Sequence, residues 1–135
     1  MKYPTPEEIM RYPPKYPLKI IEFTLNWKKI WQKYPSNKYL SLIALAYGIS
    51  DLYNKPVLSV TLNNEYCYNS KTKTIALGYN PSIISTLHEI GHHLYGHSEL
   101  KACRFSIHLF KQTFPKAFQK LSWKDHTLII KKETM

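Results

Sequence analysis

A chain of 135 residues is long enough for one domain with a single core. Its apolar and aromatic content suits a globular protein, with no repeat or low-complexity tract. Two distant cysteines, Cys67 and Cys103, exclude a disulfide framework and offer no metal-ligand spacing. The formal charge of +10 favours acidic partners, nucleic acid or an anionic surface, over a solvated lysine-rich face by no clear margin.

The first residues carry no apolar leader core, and no run approaches the roughly eighteen apolar residues that a membrane span needs. The expectation is a cytoplasmic protein with no membrane association. Residues 1–17 hold Pro4, Pro6, Pro13, Pro14 and Pro17, which forbid a long helix. They form an arm expected to pack on the domain or on a partner. One helical turn fits within it, with Thr5 as cap and Pro6 at the first helical position. Residues 18–135 are expected to form a single domain.

Residues 18–34 predict a helix, because Ile20, Phe23, Trp27, Ile30, Trp31 and Tyr34 recur at steps of three and four. Pro35 ends it, and Ser36 or Asn37 is placed to cap a second helix over 38–53. That helix is apolar nearly all round, which predicts burial on most faces, although Gly48 weakens it. The period then changes to two. Residues 56–62 read as a strand, and residues 65–68 and 72–77 as a hairpin about Asn69-Ser70-Lys71. A helix follows over roughly 82–95 and another over 99–113, capped by Ser98. Phe114-Pro115 interrupts the second, residues 116–122 fit a further helical turn, and Thr127–Ile130 is too short to classify.

The helix over 82–95 carries His88-Glu89-Ile90-Gly91-His92, an HExxH pattern. Positions i and i+4 stack on one helix face. His88 and His92 are therefore placed to hold one Zn²⁺ through imidazole nitrogens at roughly 2.0–2.1 Å. Glu89 follows the first ligand by one residue, where it can take a proton from a water activated by the metal. The bare motif arises by chance in unrelated helices. Here Leu87, Ile90 and Leu94 give the helix an apolar face, Ser82 or Ser85 suits its start and Gly96 its end. Four of the six histidines fall within ten residues of this stretch, which favours a metal site over a hydrogen-bonded cluster.

Catalytic zinc usually takes three protein ligands and leaves one position open. About one helical turn remains after His92, and Gly96 lets the chain reverse. Either Glu99 or His97 can then swing back to the metal, with His126 a more distant choice. His93 points about 100° away round the helix and is discounted. Glu99 also suits a helix N-terminus with no metal at all. Tyr95 and Tyr79 are candidate donors to an oxyanion or substrate, against the commoner reading of aromatic packing. Residues 101–135 hold eight basic side chains against Asp125 and Glu133, interleaved with Trp123 and His126. Such a stretch suits a nucleic-acid surface, although a solvated basic face is the commoner outcome.

The segments Thr86–His93 and Glu99–Ser106 resemble the metal-binding helices of gluzincin peptidases, and in particular the ImmA/IrrE family of small metallopeptidases. SprT-like proteases are a more distant likeness by motif and charge. The element order looks like the minimal zincin scaffold, an α+β domain with two N-terminal helices, a small three-stranded sheet, and the HExxH helix followed by a further helix. The resemblance covers about residues 72–110. It implies His88 and His92 as ligands, Glu89 as general base, Glu99 as third ligand, and an extended polypeptide substrate paired along a sheet edge. The chain departs from the family in the short spacing between His92 and Glu99, and in having Cys103 where a polar residue is usual. The metzincin register fails, because it would require Gly at Tyr95 and His at Ser98. The expectation is a zinc metallopeptidase, set against a non-catalytic, zinc-stabilised module that binds nucleic acid or protein.

Overall fold

The computed structural model describes residues 3–124 and 127–130. His126, named above as a distant ligand, lies outside them, as do Asp125 and residues 131–135. The fold mixes helices with a small three-stranded sheet. Among the described residues, no helix is long and apolar enough to cross a membrane.

Helix α1 (Pro6–Arg11) is the turn expected within the arm. Thr5 and Glu8 form a reciprocal capping box, and Pro6 occupies the first turn, where its missing N–H costs nothing. Helix α2 (Leu18–Lys33) buries Ile20, Thr24 and Trp27, spaced four and three apart, and stops before Pro35. A 3₁₀ turn (Pro35–Asn37) leads into α3 (Lys38–Leu52), and no side chain caps α3, contrary to the expectation at Ser36 or Asn37.

Helix α3 also departs from the expected all-round burial. Leu42, Leu45, Ala46 and Ile49 face the core, while Leu40 stays 65% exposed. Helices α2 and α4 and the segment that becomes the first strand pack against α3, and Leu40 lies on the side left to solvent. The glycine that weakened the expectation has a packing role. The ring of Phe23 lies so close to Gly48 that an added Cβ would sit 2.1 Å from it.

The sheet has the order β1-β3-β2, with β1 (Ser59–Leu62), β2 (Cys67–Asn69) and β3 (Thr74–Leu77). Central β3 buries Ile75, Ala76 and Leu77. It pairs antiparallel with β2 (Tyr68 opposite Ile75) and parallel with β1 (Val60 opposite Ile75). The strand expected from residue 56 begins at Ser59; Pro56 has no N–H to give a ladder. The β2–β3 turn is held by the Asn69 side chain, which accepts from the N–H groups of Lys71 and Thr72.

Helices α4 (Ile83–Tyr95) and α5 (Glu99–Thr113) complete the core with Leu87, Ile90, Leu94, Phe105 and Leu109. Phe114 ends α5, and the short helix α6 (Pro115–Gln119) starts at the next residue. The segment left unclassified over Thr127–Ile130 is β5, antiparallel to β4 (Leu121–Lys124).

Candidate metal centre

Helix α4 begins where Ser82, in extended conformation, accepts the N–H of Ser85 through its hydroxyl at 3.1 Å. It ends at Gly96, whose φ of +84° turns the chain with no Cβ to obstruct it. Ser98 caps α5 by accepting the Lys101 N–H, which makes Glu99 the first residue of that helix. The two helices then pack at unusual proximity. A Cβ added to Gly91 would lie 2.9 Å from the Cα of Ala102 and 3.1 Å from its carbonyl oxygen. Only a glycine on α4 admits this approach, and it carries the start of α5 up to the HExxH face.

Three side chains converge there. Glu99 Oε1 lies 2.7 Å from His92 Nε2, and Glu99 Oε2 lies 3.1 Å from His88 Nε2. The two Nε2 atoms are 3.2 Å apart. A tetrahedral ion with ligands at roughly 2.0–2.1 Å sets ligand–ligand separations of about 3.3 Å. Two of the separations, 3.1 and 3.2 Å, approach that value and the third is shorter, so His88, His92 and Glu99 form a donor set that could hold a metal ion. The set is two imidazoles and a carboxylate, the chemistry borderline-soft Zn²⁺ accepts.

The surrounding contacts favour that use. His92 Nδ1 donates to the Gly96 carbonyl at 2.8 Å, which orients the ring with Nε2 toward the cluster. Burial lowers the His88 pKa, against the pull of Glu99, which keeps the ring neutral and able to ligate. Cys103 Sγ is 3.8 Å from His88 Nδ1. Burial, with Glu99 beside it, pushes that thiol up to about 12, so the sulfur is a neutral neighbour of the ring.

Glu89 is only 8% exposed, and burial raises its pKa from the ordinary 4.5 to about 7. It opens onto a cleft of about 380 Å³ that also reaches His88, Glu99, Tyr66, Ser106 and Tyr3. A carboxyl group poised near neutrality beside a donor triad can exchange a proton with a reacting molecule in that cleft.

The other residues singled out from the sequence lie elsewhere. His97 is exposed and outside the cluster. Tyr79 is 73% exposed and hydrogen-bonds Asn64, and Tyr95 tilts over the Phe105 ring; neither lines the cleft. His93 turns away from the metal face, as its helical phase implies. Its Nδ1 accepts from the Tyr68 hydroxyl at 2.7 Å, and its Nε2 donates to the Lys55 carbonyl. Lys55 in turn donates to the Leu94 carbonyl at the C-terminal end of α4, so sheet, loop and helix are clamped together. Sequence reasoning missed this clamp and the close Gly91–Ala102 approach. A glycine inside an apolar helical pattern was the available signal for the second. Compared with protein-family models, with curated proteins and with solved structures, the chain matches none of them.

Proposed function

We propose that this protein is a zinc-dependent metallopeptidase of zincin-like, gluzincin type, and that its likeness to the ImmA/IrrE metallopeptidases reflects a shared chemistry. The observation that carries the reading is the convergence of His88, His92 and Glu99 with the buried carboxyl of Glu89 beside them. Zinc bound at this point would supply Lewis acidity and make a coordinated water acidic near neutral pH. His88, His92 and Glu99 bind the ion. Glu89 accepts the proton of the attacking water and returns it to the leaving amine.

The cleft favours catalysis over a structural metal. His88 and Glu99, two of the three donors that would hold the ion, line it, so a molecule in the cleft would reach the donor set, whereas structural zinc sites are closed. The substrate is an extended polypeptide. Strand β2 is an edge strand packed near α4, and Tyr66 just before it lines the cleft, so main-chain pairing along β2 would bring a scissile bond to the donor triad.

The test uses zinc-loaded protein on an unfolded polypeptide. Glu89→Gln keeps size and helix propensity but accepts no proton. It should retain zinc and fold while losing about 10²–10⁴-fold in rate. Equal activity of wild type and variant would defeat the assignment of Glu89. Wild type that binds zinc yet cleaves nothing across varied substrates would defeat the peptidase reading.

A further inference from the structure

The N-terminal arm is built onto the helix that carries Glu99. Ile9 of α1 is fully buried, and Pro4 is buried too. Arg104 of α5 donates from Nε and Nη2 to the Glu8 carbonyl at 3.0 and 2.8 Å. His108, also on α5, lies 2.9 Å through Nε2 from the Ile9 carbonyl. The Thr5–Glu8 capping box fixes the start of α1. Two residues before the Thr5 cap stands Tyr3, which lines the same cleft as His88 and Glu89, together with Ser106 and Ile107 of α5. Tyr3 is 49% exposed and stands at the mouth of that cleft, outside the core.

We propose that the arm is a wall of the cleft, and that Tyr3 sets the size of the substrate side chain the cleft accepts. This rests on the peptidase reading and adds to it a residue far from the motif. With the aromatic ring in place, the cleft takes small side chains beside the scissile bond. Without it, the cleft takes bulky ones. The arm is bound to α5 through the Glu8 and Ile9 carbonyls and the buried Ile9, none of which a change at Tyr3 removes.

The experiment measures binding, not turnover. Zinc-loaded wild type, Tyr3→Phe, Tyr3→Ala and Tyr3→Trp are titrated calorimetrically with amino-acid hydroxamates whose side chains run from glycine through alanine and leucine to phenylalanine. Zinc stoichiometry and helical circular dichroism are checked for each. Tyr3→Ala should shift preference toward the phenylalanine compound over the glycine one by about tenfold or more, a usual scale for pocket size discrimination. Tyr3→Phe should track wild type. Tyr3→Trp, which keeps an aromatic ring for any packing Tyr3 provides, should move the preference the other way. A series unchanged by both Tyr3→Ala and Tyr3→Trp, in folded zinc-loaded protein that binds hydroxamates, overturns the proposal while leaving the peptidase reading intact. Zinc-loaded wild type that binds no hydroxamate removes the peptidase reading first and this inference with it.

Discussion

The burial of Glu89 has a thermodynamic signature that needs no substrate. A carboxyl group moved from 4.5 to about 7 carries about 3 kcal/mol against its charged form, at ~1.36 kcal/mol for each tenfold change in acidity. The folded-state pKa is the higher one. Between pH 4.5 and 7 the folded chain therefore holds a proton that the unfolded chain has released. Stability contributed by neutral Glu89 is fully present below the lower value, falls across this window and is absent above it. Glu89→Gln cannot ionise, so metal-free variant and wild type should diverge as pH rises. Thermal unfolding in the presence of a chelator, followed by circular dichroism from pH 4 to 8, reads the difference. The variant should gain on wild type by roughly 3 kcal/mol across the range, on the order of 10 °C in Tm for a chain of this size. Parallel pH curves for the two proteins would mean that Glu89 ionises as freely as in water. The argument for a base tuned by burial would then fail.

Three further outcomes follow from the same geometry. Gly91→Ala places a methyl against Ala102 at 2.9 Å; overpacking of this kind should cost about 1–3 kcal/mol, and zinc affinity by competition titration should fall as Glu99 is pushed from the histidines. An Ala variant with unchanged affinity would show that the close approach does not position Glu99. Glu99→Gln should weaken zinc binding more than His97→Ala, and the reverse order would move the third ligand to His97. The basic surface should bind single-stranded nucleic acid weakly and without sequence preference, with affinity that drops steeply as salt rises; affinity insensitive to salt, or none at low salt, would leave a merely solvated lysine face.

What was readable in the sequence is what local chemistry dictates. Thr5-Pro6-Glu7-Glu8, Ser82 before the motif and Ser98 before Glu99 each announce a helix start through a side chain that satisfies free N–H groups. The structure uses all three caps. His88 and His92 were readable because they share one helix face, whereas Glu99 stood beside His97 as one of two choices just past the turn, and the structure groups Glu99 with the histidines. Asn37 has the right chemistry for a cap but makes no such bond; as the last residue of the 3₁₀ turn it sits at φ −115° and ψ 39°, outside the extended conformation a capping residue takes. Partners distant in sequence were beyond reach. Nothing in the alternation of residues 59–62 says that the strand will run parallel to β3 and not beside β2. Tyr79 and Tyr95 are near the motif in sequence and away from the cleft in space. Tyr3 is the reverse case: a residue 85 positions before His88 that shares its cavity.

That contrast bears on how the molecule assembles. His88, His92 and Glu99 sit within twelve residues of chain, and closing so short a loop costs little entropy. The donor set can form as soon as the α4–α5 hairpin does, before the sheet has found its pairing. The contacts that seat the arm join residues 96 and 99 positions apart, and such non-local closures are slow. Metal capture should therefore speed the folding step in which the hairpin forms, whereas weakening the arm should mainly hasten unfolding. On this order of assembly the His88, His92 and Glu99 set comes together early and the arm that walls the cleft docks late, so a newly made chain would be able to take up an ion before its cleft is complete.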